Sequence, residues 1–157
     1  MGVSGSGKTT VGRALAARLG VVYAEADEFH PPENIAKMSA GHPLTDEDRW
    51  PWLRAIAAWV GEREVDGGVV TCSALKRTYR DLLRSGGPVF FVHLDGGQDV
   101  IAARLTARQG HFMPPALLAS QIADLEPLDP DELGVVLDVD QTPDELTEAA
   151  YRAVAGS

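Results

Sequence analysis

Gly2-Val3-Ser4-Gly5-Ser6-Gly7-Lys8-Thr9 stands at the head of the chain and decides its reading. It fits G-x-x-x-x-G-K-[ST] at every fixed position. Each residue type has a physical reason. Glycines let the backbone turn with its N–H groups pointing inward, which makes a concave anion site. The loop runs into a helix N-terminus, whose unpaired N–H groups and dipole favour phosphate. Lys8 is placed to reach the β- and γ-phosphates, and the Thr9 hydroxyl to ligate Mg²⁺. Gly2, Ser4, Gly5, Ser6, Gly7, Lys8, Thr9 and Thr10 are therefore the candidate nucleotide-binding residues, with ATP and Mg²⁺ as the expected cofactors. A chance Gly-rich turn is the bland alternative; an amphipathic helix directly behind the match weighs against it. Such a loop normally follows a buried strand of about five or six residues. Here it begins at the second residue, so the expectation is an internal Met1 with about ten more residues, strand included, ahead of it.

Outward from the loop, the pattern alternates between helix and strand. Val11, Ala14, Leu15 and Leu19 recur at helical spacing until Gly20 stops the helix. Short apolar runs predict strands over 21–24, 69–72, 89–94 and 135–139. Residues 30–44 read as irregular or partly helical, with Pro31-Pro32 and Gly41-His42-Pro43 as breakers. Thr45 with Asp48 predicts a capped helix whose apolar stripe is Trp52, Leu53, Ile56, Trp59 and Val60. Further helices are expected over 74–83, 99–109 and 114–125. A last one, opened by Thr142-Pro143-Asp144-Glu145, should run to about Val154. Buried strands separated by helices indicate an α/β parallel sheet covered on both faces, with ligands beyond the strands' carboxyl ends.

Composition narrows the function. At 157 residues the chain fits one domain, 1–157. The net charge of −9 argues against a nucleic-acid footprint and requires any anionic substrate to meet a local basic cluster. No apolar run approaches the roughly 18 residues that span a bilayer, so no membrane partner is expected. Cys72 is the lone cysteine and reads as a buried packing residue in a cytoplasmic protein. The four histidines show no zinc-site spacing. Neither an Asn-Lys-x-Asp base-reading motif nor an apolar strand ending in Asp-Glu is present, which favours a small-molecule kinase over a GTPase or motor ATPase.

Four further stretches are more specific. The run from Glu25 to Met38 contains Phe29-His30-Pro31, and the run from Met38 to Leu53 contains Gly41-His42-Pro43-Leu44-Thr45. The run from Cys72 to Arg84 opens at the end of the next strand with Cys72-Ser73-Ala74-Leu75-Lys76-Arg77, and the stretch from Arg104 ends in Gly110-His111-Phe112-Met113. With the phosphate loop, these resemble the gluconokinase family from Gly2 to about Asp140. The resemblance implies a three-layer α/β P-loop kinase fold of the nucleoside-monophosphate-kinase type. Its parallel sheet would have order 2-3-1-4-5, the first strand apparently missing here. It implies ATP-dependent phosphorylation of D-gluconate at the 6-hydroxyl, giving 6-phospho-D-gluconate and ADP, with a lid over roughly 104–125. It is also compatible with a homodimer.

Site roles follow from residue chemistry and from that resemblance together. Asp27, just after the second strand, can accept the proton of an attacking hydroxyl. Glu25, two residues earlier on an extended segment, should point the same way and act as a Mg²⁺ ligand through water; the family more usually has Asp there. A guanidinium suits the gluconate carboxylate. Arg49, Lys76, Arg80 and His30 are the candidates, with Lys76 and Arg80 on one helix face. Arg104 and Arg108 should lie near the nucleotide, Arg108 offsetting charge on the transferred group, while His111 sits on a segment able to close over the substrate. Lys8, Asp27 and Arg108 form the expected catalytic set. The competing readings are a related kinase, such as one for shikimate, and a nucleotide-binding protein without turnover. Shikimate kinases lack the Phe-His-Pro and Gly-His-Phe-Met strings, and retained Lys8, Thr9, Asp27 and Arg108 argue against an inactive chain.

Overall fold

The computed structural model describes residues 1–3, 5–97, 99–101, 103 and 115–157. Helix α1, Lys8–Leu19, ends at Gly20, whose φ of 71° lets its N–H reach back to the Ala16 and Ala17 carbonyls. Its buried face is Val11, Gly12, Leu15 and Ala16; Ala14, placed on the apolar stripe by spacing, faces solvent. Strand β1, Val22–Glu25, leads through a 3₁₀ turn, Ala26–Phe29, to helix α2, Pro32–Ser39. The proline pair expected to break structure begins this helix instead. Proline fits the first helical turn, where the missing N–H would have had no partner.

Helix α3, Asp46–Glu62, has the predicted reciprocal cap: Asp48 N–H donates to Thr45 Oγ1, and Thr45 N–H donates to Asp48 Oδ2. Trp52, Leu53 and Ile56 form its buried stripe. Strand β2, Gly68–Thr71, precedes helix α4, Arg77–Arg84. This helix starts three residues later than the apolar pattern suggested. Ala74 takes a left-handed φ of 48°, which no helix continues. Strand β3, Phe91–Asp95, helix α5, Pro115–Asp124, strand β4, Gly134–Asp138, and helix α6, Pro143–Ala155, complete the described elements. Residues 99–101 and 103 are helical, and 104–114 lie outside the described residues, with most of the expected lid.

The described strands form two separate parallel pairs, β1 with β2 and β3 with β4. Met1 and Gly2 lie between them. The Met1 amine donates to Val92 O at 2.5 Å, Leu94 N–H donates to Met1 O at 2.9 Å, and Gly2 N–H donates to Ser73 O at 3.2 Å. Gly2 must be glycine here: a Cβ would come within 2.6 Å of Leu94 O and 2.9 Å of Ser6 Oγ. On one face α1 and α6 pack together over Leu94 and Val139. On the other, α3 and α4 bury Trp52, Leu53, Ile56, Tyr79 and Leu83. Gly12 lets α1 approach the sheet, since an added Cβ would sit 2.8 Å from Thr71 Cγ2. Cys72 is buried, and burial raises its thiol to about 11, so it packs and does not react. Among the described residues, no helix is long and apolar enough to cross a membrane.

Candidate active site

The phosphate loop turns on Gly5, φ 85°, and Gly7, φ 96°, both in conformations that disfavour a Cβ. Gly7 caps α1 without a side-chain bond, so the amides of the first helical turn stay available to an anion. The Lys8 ammonium donates to the carbonyls of Gly2 at 2.8 Å and Val3 at 3.1 Å, which holds it over the loop. Lys8 and Thr9 face a cavity of about 400 Å³. Glu25, Asp27, His30 and Arg49 border the same cavity, so one space holds the loop, two carboxylates, an imidazole and a guanidinium.

The acidic pair reaches this cavity differently from the expected extended run. Glu25 ends β1, and the 3₁₀ turn begins at Ala26, so Asp27 sits on a helical turn, exposed. Glu25 accepts from Tyr23 Oη at 3.0 Å and lies 3.9 Å from Arg13. Burial first, and then the neighbouring Glu25 carboxylate, raise the Tyr23 phenol, while the Thr71 and Thr9 hydroxyls oppose the shift. Tyr23 therefore stays a hydrogen donor at neutral pH. Oxygen donors such as Thr9, Glu25 and Asp27 suit Mg²⁺, which takes few protein ligands and keeps water and phosphate oxygens. Among the described residues no group of three or more His, Cys, Asp or Glu is placed to hold a metal ion.

His30 lies against Trp52, and Asn34 Nδ2 contacts its Nδ1 at 3.2 Å. With the amide donating, Nδ1 accepts and the ring proton is on Nε2. Burial is the main cause that pushes His30 down to about 4; Asp27 opposes it and Arg49 adds to it. The ring is neutral at physiological pH and suits a sugar hydroxyl. Asn34 also donates to Asp48 O at 2.8 Å, tying α2 to the start of α3.

Arg49 is buried at 7% exposure, where an unpaired cation would be costly. It donates to Tyr79 Oη at 2.6 Å and stands 3.6 Å from Asp124. Tyr79 in turn donates to Asp46, which also accepts from Lys76 at 3.3 Å. That chain fixes the guanidinium at the cavity wall.

Two expected substrate contacts do not border this cavity. Arg80, wholly buried, pairs with Glu132 at 2.7 and 3.0 Å and also donates to the carbonyls of Ala74 and Pro127. Lys76 is the residue before α4, so the four-residue spacing does not put it on a helix face with Arg80. Within the loop, Gly2 and Ser6 are buried, and Thr10 is exposed on α1. Ser4, Arg104, Arg108 and His111 lie outside the described residues. Conversely, Thr71, Ser73, Ser120 and Gln121 border the cavity without having been singled out. Ser73 was legible in principle, as the first polar residue beyond β2. Ser120 and Gln121 were not, because only the fold brings α5 across.

A phosphate loop, a sheet of parallel strands and an acidic residue at the next strand's end define an α/β P-loop kinase. A family model for shikimate kinase matches residues 4–125. The gluconokinase of Gluconobacter oxydans is 49% identical over 97% of this chain and 87% of its own. Among solved structures, an unliganded sugar kinase from Janibacter sp. superposes with a TM-score of 0.95 at 57% identity, covering 99% of this chain and 91% of the other. A gluconokinase from Sinorhizobium meliloti does so with a TM-score of 0.89 at 48% identity, over 99% and 89%. The chain belongs to the gluconokinase family.

Proposed function

We propose that this protein transfers the terminal phosphoryl group of ATP to the 6-hydroxyl of D-gluconate, forming 6-phospho-D-gluconate and ADP. The observation that carries the reading is the shared cavity. Lys8 and Thr9 of α1, Asp27 of the 3₁₀ turn and the buried Arg49 of α3 all border it. The helix-capping amides and Lys8 bind the triphosphate and oppose charge on its oxygens. Asp27 accepts the proton of the attacking hydroxyl, so that the oxygen bonds to phosphorus as the bond to the ADP oxygen breaks. Arg49 matches a carboxylate at the far end of a short open-chain polyol, and neutral His30 exchanges hydrogen bonds with its hydroxyls. Thr9, with Glu25 through water, would hold Mg²⁺, which would offset the negative charge of the triphosphate. Arg104, Arg108 and His111 join the reading by family resemblance, as lid residues over the nucleotide and substrate. Arg80 and Lys76 are left out of it.

Shikimate is the second acceptor to consider, because the matching family model carries that description. A coupled ADP-release assay with gluconate, shikimate or no acceptor separates the readings. ADP release should depend on gluconate. Equal rates with and without it would overturn the proposal, and a shikimate preference would replace it.

A further inference from the structure

The Tyr23 phenol stands behind the two residues that would hold Mg²⁺. Tyr23 and Glu25 are two apart on β1, so their side chains leave the same face of the sheet. Thr71, opposite Glu25 in the register of β1 with β2, shares that face. Helix α1 covers it at Gly12, where a Cβ would lie 2.8 Å from Thr71 Cγ2 and 3.0 Å from Tyr23 Cε1. The missing side chain at Gly12 therefore gives the Tyr23 ring its place between helix and sheet.

Three side chains converge on the phenol oxygen. Tyr23 Oη donates to Glu25 Oε1 at 3.0 Å. Its single proton is then committed, so across 3.4 Å the Thr71 hydroxyl is the donor. The Thr9 hydroxyl also interacts with the phenol. Glu25 ends β1 and Thr9 opens α1, and both border the nucleotide cavity, so one phenol links two groups that arrive from different elements. The Glu25 carboxylate has one competing partner. Arg13 lies 3.9 Å from the same Oε1 with its side chain 66% exposed, and so long and exposed a pair holds a side chain weakly. The nearer, half-buried Tyr23 therefore decides where the carboxylate points. Among the described residues both contacts fall on Oε1, which leaves Oε2 for a metal-bound water.

We propose that Tyr23 is a positioning residue for the nucleotide's metal ion: its hydroxyl, backed by Thr71, holds Glu25 by Oε1 and keeps Oε2 turned to the water shell of Mg²⁺. The inference rests on the kinase reading above, and within it on Glu25 as a ligand through water. Its physical basis is preorganisation. A glutamate side chain turns about several bonds, and ordering them at each binding event weakens the contact it makes. A hydrogen bond formed before the nucleotide arrives removes that loss.

Binding of a non-hydrolysable ATP analogue tests this with no acceptor present, so the result is independent of the gluconate assay. Calorimetry gives the affinity with saturating Mg²⁺ and again in EDTA. Tyr23→Phe keeps the ring and removes only the hydroxyl. It should weaken binding about tenfold with Mg²⁺ and leave the value in EDTA unchanged. Glu25→Gln should do the same, and the double variant should lose no more than either single one. Equal losses with Mg²⁺ and in EDTA overturn the proposal, since the hydroxyl would then serve the loop alone. Additive losses overturn it as well, and so does a loss with Glu25→Gln but none with Tyr23→Phe. No loss with Glu25→Gln removes the metal role of Glu25 and the proposal with it, while the acceptor reading stands. Should Tyr23→Phe not fold, the Tyr23 Cζ resonance of the intact protein decides. A shift when Mg²⁺ joins the bound nucleotide supports the proposal, and an unmoved signal overturns it.

Discussion

The His30 imidazole stacks on the Trp52 indole, with ring centroids 4.1 Å apart and planes 13° from parallel. Trp52 Nε1 donates to Ala26 O at 2.7 Å, so the indole supports both the imidazole and the turn that carries Asp27. This packing half-buries the imidazole and so favours its uncharged form.

A pH dependence of stability follows. His30 and His93 are each lowered from 6.5 to about 4, chiefly by burial. Between those values the unfolded chain binds more protons than the folded one, so stability rises with pH through the window and is fully present above 6.5. The loss on acidification should be on the order of 2 kcal/mol per ring. Carboxylates such as Glu132 and Asp48, held at about 2, are lost only at lower pH. Thermal melts from pH 8 to 4.5 should decline below 6.5. His93→Leu should flatten that decline and raise Tm at pH 5, because both buried ring nitrogens lack a hydrogen-bond partner among the described residues. A profile flat from 8 to 4.5 would contradict the assignment.

Asp27→Asn should lower kcat by about 100-fold or more, the usual weight of a general base. ATP affinity should stay nearly unchanged, because the loop amides and Lys8 hold the triphosphate. Nucleotide titration alongside steady-state kinetics checks both, and a loss confined to ATP binding would refute the base role.

Arg49→Lys keeps a positive charge but loses the planar fork. The KM for gluconate should rise about 10- to 100-fold, matching a charge-assisted hydrogen bond of roughly 1.5–3 kcal/mol. The KM for ATP should hardly move. Parallel rises in both constants would place Arg49 in the scaffold alone.

Arg80→Met tests whether that guanidinium serves the scaffold or the substrate. Leaving Glu132 buried without its main partner should cost about 3–5 kcal/mol. Pairing the change with Glu132→Leu should recover most of it. Chemical denaturation measures both variants. A large rise in gluconate KM with unchanged stability would restore Arg80 to the substrate site.

Local chemistry made much of this protein legible in sequence. Thr45 with Asp48 and Thr142 with Glu145 form the caps that their spacing predicted, because a capping box is a contact between residues three apart. The phosphate loop was legible for a similar reason, since its function is written in consecutive backbone turns. The pairing of Arg80 was not legible, because its partner Glu132 lies 52 positions away and only the tertiary fold brings that carboxylate to α4. The extended run expected at Glu25 and Asp27 failed on a 3₁₀ turn whose anchor, Trp52, comes from another helix. Ala74's left-handed backbone delayed α4 in a way no alanine announces.

Lys8 borders the active-site cavity while its ammonium rests on the Gly2 and Val3 carbonyls. One side chain thus both faces the nucleotide space and ties down the loop's first turn. A neutral side chain at that position would therefore slacken the loop's own backbone as well as its hold on phosphate.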